Sequence, residues 1–136
     1  MRNLEKYIGI PFKDEGSNFD GCNCWGLVRL VLIQEAGIAV PAYGDISAAD
    51  LLKAARQIGR DSSTAPWIRV DVPQAFDVCL MTAKEGAHRV IGHIGIMTSP
   101  THVLHVWEAT HAVQMPLTHS RIRARLAGFY RHEAIR

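Results

Sequence analysis

Three side chains of this sequence could break an acyl bond together: Cys24, His93 and His105. Cys24 follows the turn-rich stretch Glu15-Gly16-Ser17-Asn18-Phe19-Asp20-Gly21 and opens the apolar run Cys24-Trp25-Gly26-Leu27-Val28-Arg29-Leu30-Val31-Leu32-Ile33. That junction predicts a thiol at a helix N-terminus, where unpaired backbone N–H groups and the helix dipole favour the thiolate, the form that attacks carbonyls. An imidazole changes protonation near neutral pH, and a second one can fix its tautomer. Cys24 is then the nucleophile, His93 the base and His105 the group that orients the His93 ring. The oxyanion would be received by backbone N–H groups at the helix start.

Such a site needs the two histidines side by side, and counting along the chain brings them there. With Ser99-Pro100 in a hairpin turn and Met97 opposite Thr101, Gly95 faces Val103 and His93 faces His105. A slip of two residues would keep both imidazoles on one face within diagonal reach, whereas His102 points to the other face. Gly92 and Gly95 flank His93 with little bulk, as a strand does where another group approaches closely.

The elements that must position these residues read as helices first and strands afterwards. A short helix is expected over residues 3–8, a buried helix over 24–36 that stops at Gly37, and a third over 48–58, where Ser47 and Asp50 have capping-box spacing. Strand patterns follow over 67–70, 76–82, 93–98, 102–108, 112–117 and 127–132. The fold class is α+β, with an antiparallel sheet packed on the Cys24 helix.

At 136 residues the chain reads as one domain over 1–136, with 48% hydrophobic and 21% charged residues arguing against disorder. A formal charge of +2 is too small to argue for nucleic acid, and the alternating Arg121, Arg123 and Arg125 read as a solvated edge. The start, with Arg2, Glu5 and Lys6, lacks the pattern of a secretion signal, so synthesis in a cytoplasm without a signal peptide is expected. No apolar run reaches the roughly 18 to 20 residues of a membrane span, so membrane insertion is not expected. Three cysteines, Cys22, Cys24 and Cys79, cannot form a closed disulfide set. Cys79 reads as core packing, Asp77 as a residue that ends or orients a strand, and His88, His111, His119 and His132 as solvated.

The chain also resembles the NlpC-type cell-wall peptidases, which are papain-like cysteine enzymes. The resemblance is carried by Tyr7-Ile8-Gly9-Ile10-Pro11-Phe12, then Phe19-Asp20-Gly21-Cys22-Asn23-Cys24-Trp25-Gly26-Leu27-Val28, then Phe76-Asp77-Val78-Cys79-Leu80-Met81, Gly92-His93-Ile94-Gly95-Ile96 and Val103-Leu104-His105, in family order. It implies hydrolysis of a peptide bond in the peptidoglycan stem, between D-glutamate and a diamino acid, by a Cys24, His93, His105 triad that needs no metal or other cofactor. Asn23 stands where the family commonly has Asp, and Phe12 where it commonly has Tyr. Phe12, Asn23 and Trp25 are the candidate substrate contacts. Cys24-Trp25-Gly26 with Gly128-Phe129-Tyr130-Arg131 resembles the branch found in bacteriophage tails, which implies other tail proteins as partners and a place in the virion.

Three other functions compete with this one. A zinc site from Cys22, Cys24 and the histidines has one residue between its cysteines, where structural zinc motifs usually place roughly two to four. A related amidase or acyltransferase would use the same triad on another acyl donor. A non-catalytic tail-assembly protein would keep the fold alone.

Overall fold

Asn23 begins the central helix and Gly37 ends it, for identifiable physical reasons. In the computed structural model, which describes residues 4–14, 16–40, 67–82, 91–107 and 109–135, helix α1 spans Cys24–Ala36. The Asn23 side-chain oxygen accepts the Gly26 N–H at 2.6 Å, and Gly37 takes the left-handed conformation at φ 66° that closes a helix. Such a cap is worth about 1 kcal/mol. Burial outweighs it: Leu27, Val28, Val31 and Leu32 are fully enclosed, and each large aliphatic side chain contributes about 1.5–3 kcal/mol. The expected helix over 24–36 is therefore found with its expected ends. The expected opening helix is a single 3-10 turn, Glu5–Tyr7.

Glycines let a loop lie against the start of α1. A short hairpin of β1 (Ser17–Asn18) and β2 (Gly21–Cys22) precedes the helix, and the Gly16 carbonyl accepts the Asn23 N–H at 3.0 Å. A Cβ on Gly26 would sit 1.9 Å from that same carbonyl oxygen. The Trp-Gly-Leu sequence after Cys24 is thus a packing requirement: only glycine lets this backbone approach the helix at its third residue.

The remaining strands form one sheet. They are β3 (Trp67–Val70), β4 (Val78–Thr82), β5 (Ile91–Met97), β6 (His102–His105), β7 (Val113–Pro116) and β8 (Leu126–His132), in the order β3-β8-β4-β5-β6-β7 with every neighbouring pair antiparallel. Alternation along the strands divides the core in two. Val78, Leu80, Ile94, Ile96 and Leu104 pack with α1, while Cys79, Met81, Met97 and Val103 pack on the other face with Ile122. Ile122 belongs to one helical turn, α2 (Ser120–Arg123), where the sequence reading expects a solvated edge. Arg121 and Arg123 are exposed on that turn and Ile122 points inward.

Asp77 anchors the entry to β4. Its buried carboxylate holds Arg131 of β8 through two contacts of 2.8 Å and accepts the Gln74 N–H at 2.8 Å. Phe76 before it lies at φ 74°, in the left-handed region that residues other than glycine adopt rarely. The expected helix over 48–58, the segments 41–45 and 61–66, and His88 fall outside the described residues. No described helix is long and apolar enough to cross a membrane.

Gly26→Ala is expected to destabilise the protein by about 1–3 kcal/mol in urea denaturation, because the added methyl meets backbone rather than a side chain that could rotate. A gain of about 1 kcal/mol, the outcome of helix propensity alone, would contradict the close approach.

Candidate active site

The two histidines meet on a diagonal of the sheet. β5 and β6 pair Ile96 with Leu104 and Met97 with Val103, and the Thr98 N–H bonds the His102 carbonyl at 3.0 Å. His105 is therefore opposite Gly95, two residues from the expected register. The turn explains the correction. It centres on Pro100, which has no N–H to pair, and Ser99 Oγ accepts the Thr101 N–H at 3.2 Å, so Ser99 to Thr101 form the loop.

Across this diagonal His93 Nε2 and His105 Nδ1 are 2.9 Å apart, with the rings 73° from coplanar. Gly95 makes the approach feasible: a Cβ there would lie 2.7 Å from Val103 Cγ2 and 3.1 Å from His105 Cβ. His102 points away and bonds the Thr101 hydroxyl through Nδ1 at 2.8 Å. Trp107 stacks on the His93 ring at 5.5 Å and meets the His105 ring edge-on at 4.3 Å. Arg125 lies over the other partner of this cluster, 5.6 Å from the Trp107 ring centre. The sequence reading does not single out Trp107, although it shares strand parity with His105.

Cys24 reaches the same piece of strand through the backbone. The Met97 N–H bonds Asp77 on the β4 side, so by alternation the Ile94 N–H points toward β6. β6 ends at His105 and leaves that N–H without a strand partner. The Cys24 sulfur lies against it, beside the N–H groups of Trp25 and of Cys24 itself. The thiol thus lies near the backbone of Ile94, the residue after His93, at the first position of α1.

Charge is disfavoured throughout this cluster. Burial pushes the Cys24 thiol up to about 12, although the N–H groups of Ile94, Trp25 and Cys24 pull the other way. Burial, then the neighbouring His105 and Arg125, holds His93 well below its ordinary 6.5. Burial, then Arg125 and His119, brings His105 down to about 4. The expectation that the helix start would favour a thiolate is thereby corrected. Desolvation of a residue only 4% exposed exceeds the attraction of these N–H groups, which holds the thiol protonated.

The candidate substrate contacts serve the scaffold. Asn23 caps α1, and the Trp25 side chain, 2% exposed, is core packing rather than a wall open to substrate. Phe12 is half-buried against the core, with its N–H on the Thr110 carbonyl at 2.8 Å. Cys22 donates to the Asn18 carbonyl at 3.1 Å, and Cys79 is buried in the second core cluster. Of the histidines read as solvated, His111 and His119 are exposed, while His132 packs edge-on against Trp67 at 5.2 Å. Among the described residues, no group of three His, Cys, Asp or Glu side chains could hold a metal ion.

Solved structures share this architecture. A lipoprotein-like NLP/P60 family protein of Staphylococcus aureus superposes with a TM-score of 0.62 at 20% identity, covering 94% of this chain and 38% of that one. An NlpC/P60 family protein of Bacillus cereus gives 0.65 at 18% identity, covering 93% and 36%. The NlpC/p60 domain of the peptidoglycan hydrolase SagA gives 0.54 at 20%, covering 92% and 88%. The chain thus has the papain-like α+β fold of NlpC/P60 proteins and spans under two-fifths of the length of the first two. No family sequence model matches the chain, and no curated protein matches it by sequence.

Two outcomes follow from the neutral, buried site. Below about pH 6.5 the unfolded chain protonates histidines that His93 and His105 in the folded chain leave neutral, so the urea midpoint should fall as pH drops from 6.5 toward 4. Above about pH 9 the unfolded thiols lose protons that the folded cysteines hold to about 12, so it should fall again. A midpoint unchanged between neutral and acid pH would contradict the histidine assignment. Secondly, peptide-mapped alkylation of Cys24 by iodoacetamide should climb steadily from about pH 6 to about pH 9, whereas a plateau at the acid end would reveal a standing thiolate.

Proposed function

We propose that this chain is a cysteine peptidase in which Cys24 is the nucleophile, His93 the general base and His105 the group that orients it. The observation that carries the reading is the convergence on one strand: His105 bonds Nε2 of His93 at 2.9 Å, and the Cys24 sulfur lies on the N–H of Ile94. Nε2 being engaged, Nδ1 of His93 is the nitrogen left for the thiol proton.

The neutral resting state sets the order of events. As the sulfur attacks the substrate carbonyl, its proton passes to His93 and the S–C bond forms. The oxyanion is met by backbone N–H groups at the start of α1, where the dipole of the helix favours negative charge. The imidazolium, stabilised by His105, then protonates the leaving nitrogen as the C–N bond breaks. Water, deprotonated by the same ring, releases the acyl group from sulfur and restores the thiol.

The substrate in this proposal is the stem peptide of bacterial peptidoglycan, cut between D-glutamate and a diamino acid. The sequence resemblance and the likeness of fold to a domain of a peptidoglycan hydrolase support it. The resemblance of the Gly128-Phe129-Tyr130-Arg131 ending extends the proposal to a component of a bacteriophage tail, made in the host cytoplasm as a single domain over 1–136. A second reading, a tail protein that keeps the fold without catalysis, is favoured by the deep burial of Cys24.

Incubation of the protein with peptidoglycan fragments, followed by mass spectrometry, should show a cleaved stem. Cys24→Ala and His93→Ala should each lose more than about a thousandfold in rate. Cleavage that survives in Cys24→Ala would refute the nucleophile. A folded wild type that cleaves nothing and resists thiol-directed acylating probes would establish the non-catalytic reading.

A further inference from the structure

His105 has a second contact that the triad does not use. Its Nε2 lies 3.2 Å from the sulfur of Met115. Met115 stands opposite Val103 on β7, while His105 stands opposite Val113, so the two residues are diagonal neighbours on one face. The sulfur therefore faces the far side of the ring that His93 engages.

A thioether has lone pairs and no proton to give. We infer that Met115 is a positioning residue: by accepting the Nε2 proton of His105, its sulfur sets the tautomers of both imidazoles and leaves Nδ1 of His93 bare. This rests on the peptidase reading above for its consequence, and on geometry for its substance.

With the sulfur as acceptor, each proton placement follows from the one before. A neutral imidazole carries a single N–H, so His105 protonated at Nε2 is bare at Nδ1. The 2.9 Å contact between the rings needs one proton, which must then come from Nε2 of His93. His93, itself neutral, is left with a lone pair on Nδ1, the state a general base requires. Burial together with Arg125 and His119 brings His105 down to about 4, which keeps it neutral at working pH. The opposite arrangement would set the bare Nε2 of His105 against the lone pairs of sulfur and place the His93 proton on Nδ1, where it blocks the transfer. An N–H···S contact is weak, so Met115 acts as a bias of about three- to tenfold between two otherwise similar arrangements.

The test reads the rings directly. Long-range 1H–15N correlation spectra of the uniformly labelled protein at neutral pH should show both His93 and His105 as Nε2–H tautomers. Met115→Leu, similar in volume and without an acceptor, should shift His105 toward an even mixture with Nδ1–H and lower kcat by up to about twofold with KM unchanged. Wild-type spectra with His105 as Nδ1–H would overturn the inference without any variant. So would a folded Met115→Leu protein with unchanged ring signals and unchanged kcat. A protein that cleaves no stem peptide, yet shows both Nε2–H tautomers and their shift in Met115→Leu, would uphold the relay and remove the peptidase reading instead.

Discussion

The Ile94 N–H is the pivot of this structure. It points to the side of β5 from which β6 has departed, and a backbone donor buried without a partner costs about 1–3 kcal/mol. The Cys24 sulfur supplies that partner. Satisfying the donor therefore requires the first residue of α1 to sit against Ile94, and the rest of the fold holds the helix there. Asn23 caps it, Gly16 and Gly26 let the preceding loop close on it, and Leu27, Val28 and Val31 bury it against the sheet. The proposed nucleophile is thus also the atom that satisfies this donor.

The same enclosure decides the chemistry at rest. A helix terminus favours an anion, but its pull acts on a sulfur already removed from water, and desolvation wins. His93 and His105 are discharged for the same reason, with Arg125 adding to it. Trp107 covers both rings and takes part in their exclusion from water. In the proposed peptidase the sulfur keeps its proton until a substrate carbonyl is present.

Much of this was legible in the sequence because it depends on short-range rules. The helix from Cys24 to Ala36 lies between an Asn cap and a Gly stop, and nothing competes with that reading. The pairing of His93 with His105 rather than His102 follows from strand parity, which survives a slip of two residues. The slip itself was not legible. It depends on Ser99 Oγ taking the Thr101 N–H, a choice that side-chain patterning does not announce. Ile122 between two arginines reads equally as a strand or a single helical turn, and packing against the second core cluster decides for the turn. The burial of Cys24 escaped for a further reason: desolvation belongs to the assembled fold, while a helix terminus belongs to a local stretch of chain.

In the proposed triad His105 acts only through His93. Comparing kcat for stem-peptide cleavage in His93→Ala, His105→Ala and the double variant tests this most directly. Once His93 is gone, removing His105 as well should cost nothing more, so the double variant should match His93→Ala. Losses that multiply would show His105 working on its own and would contradict the account.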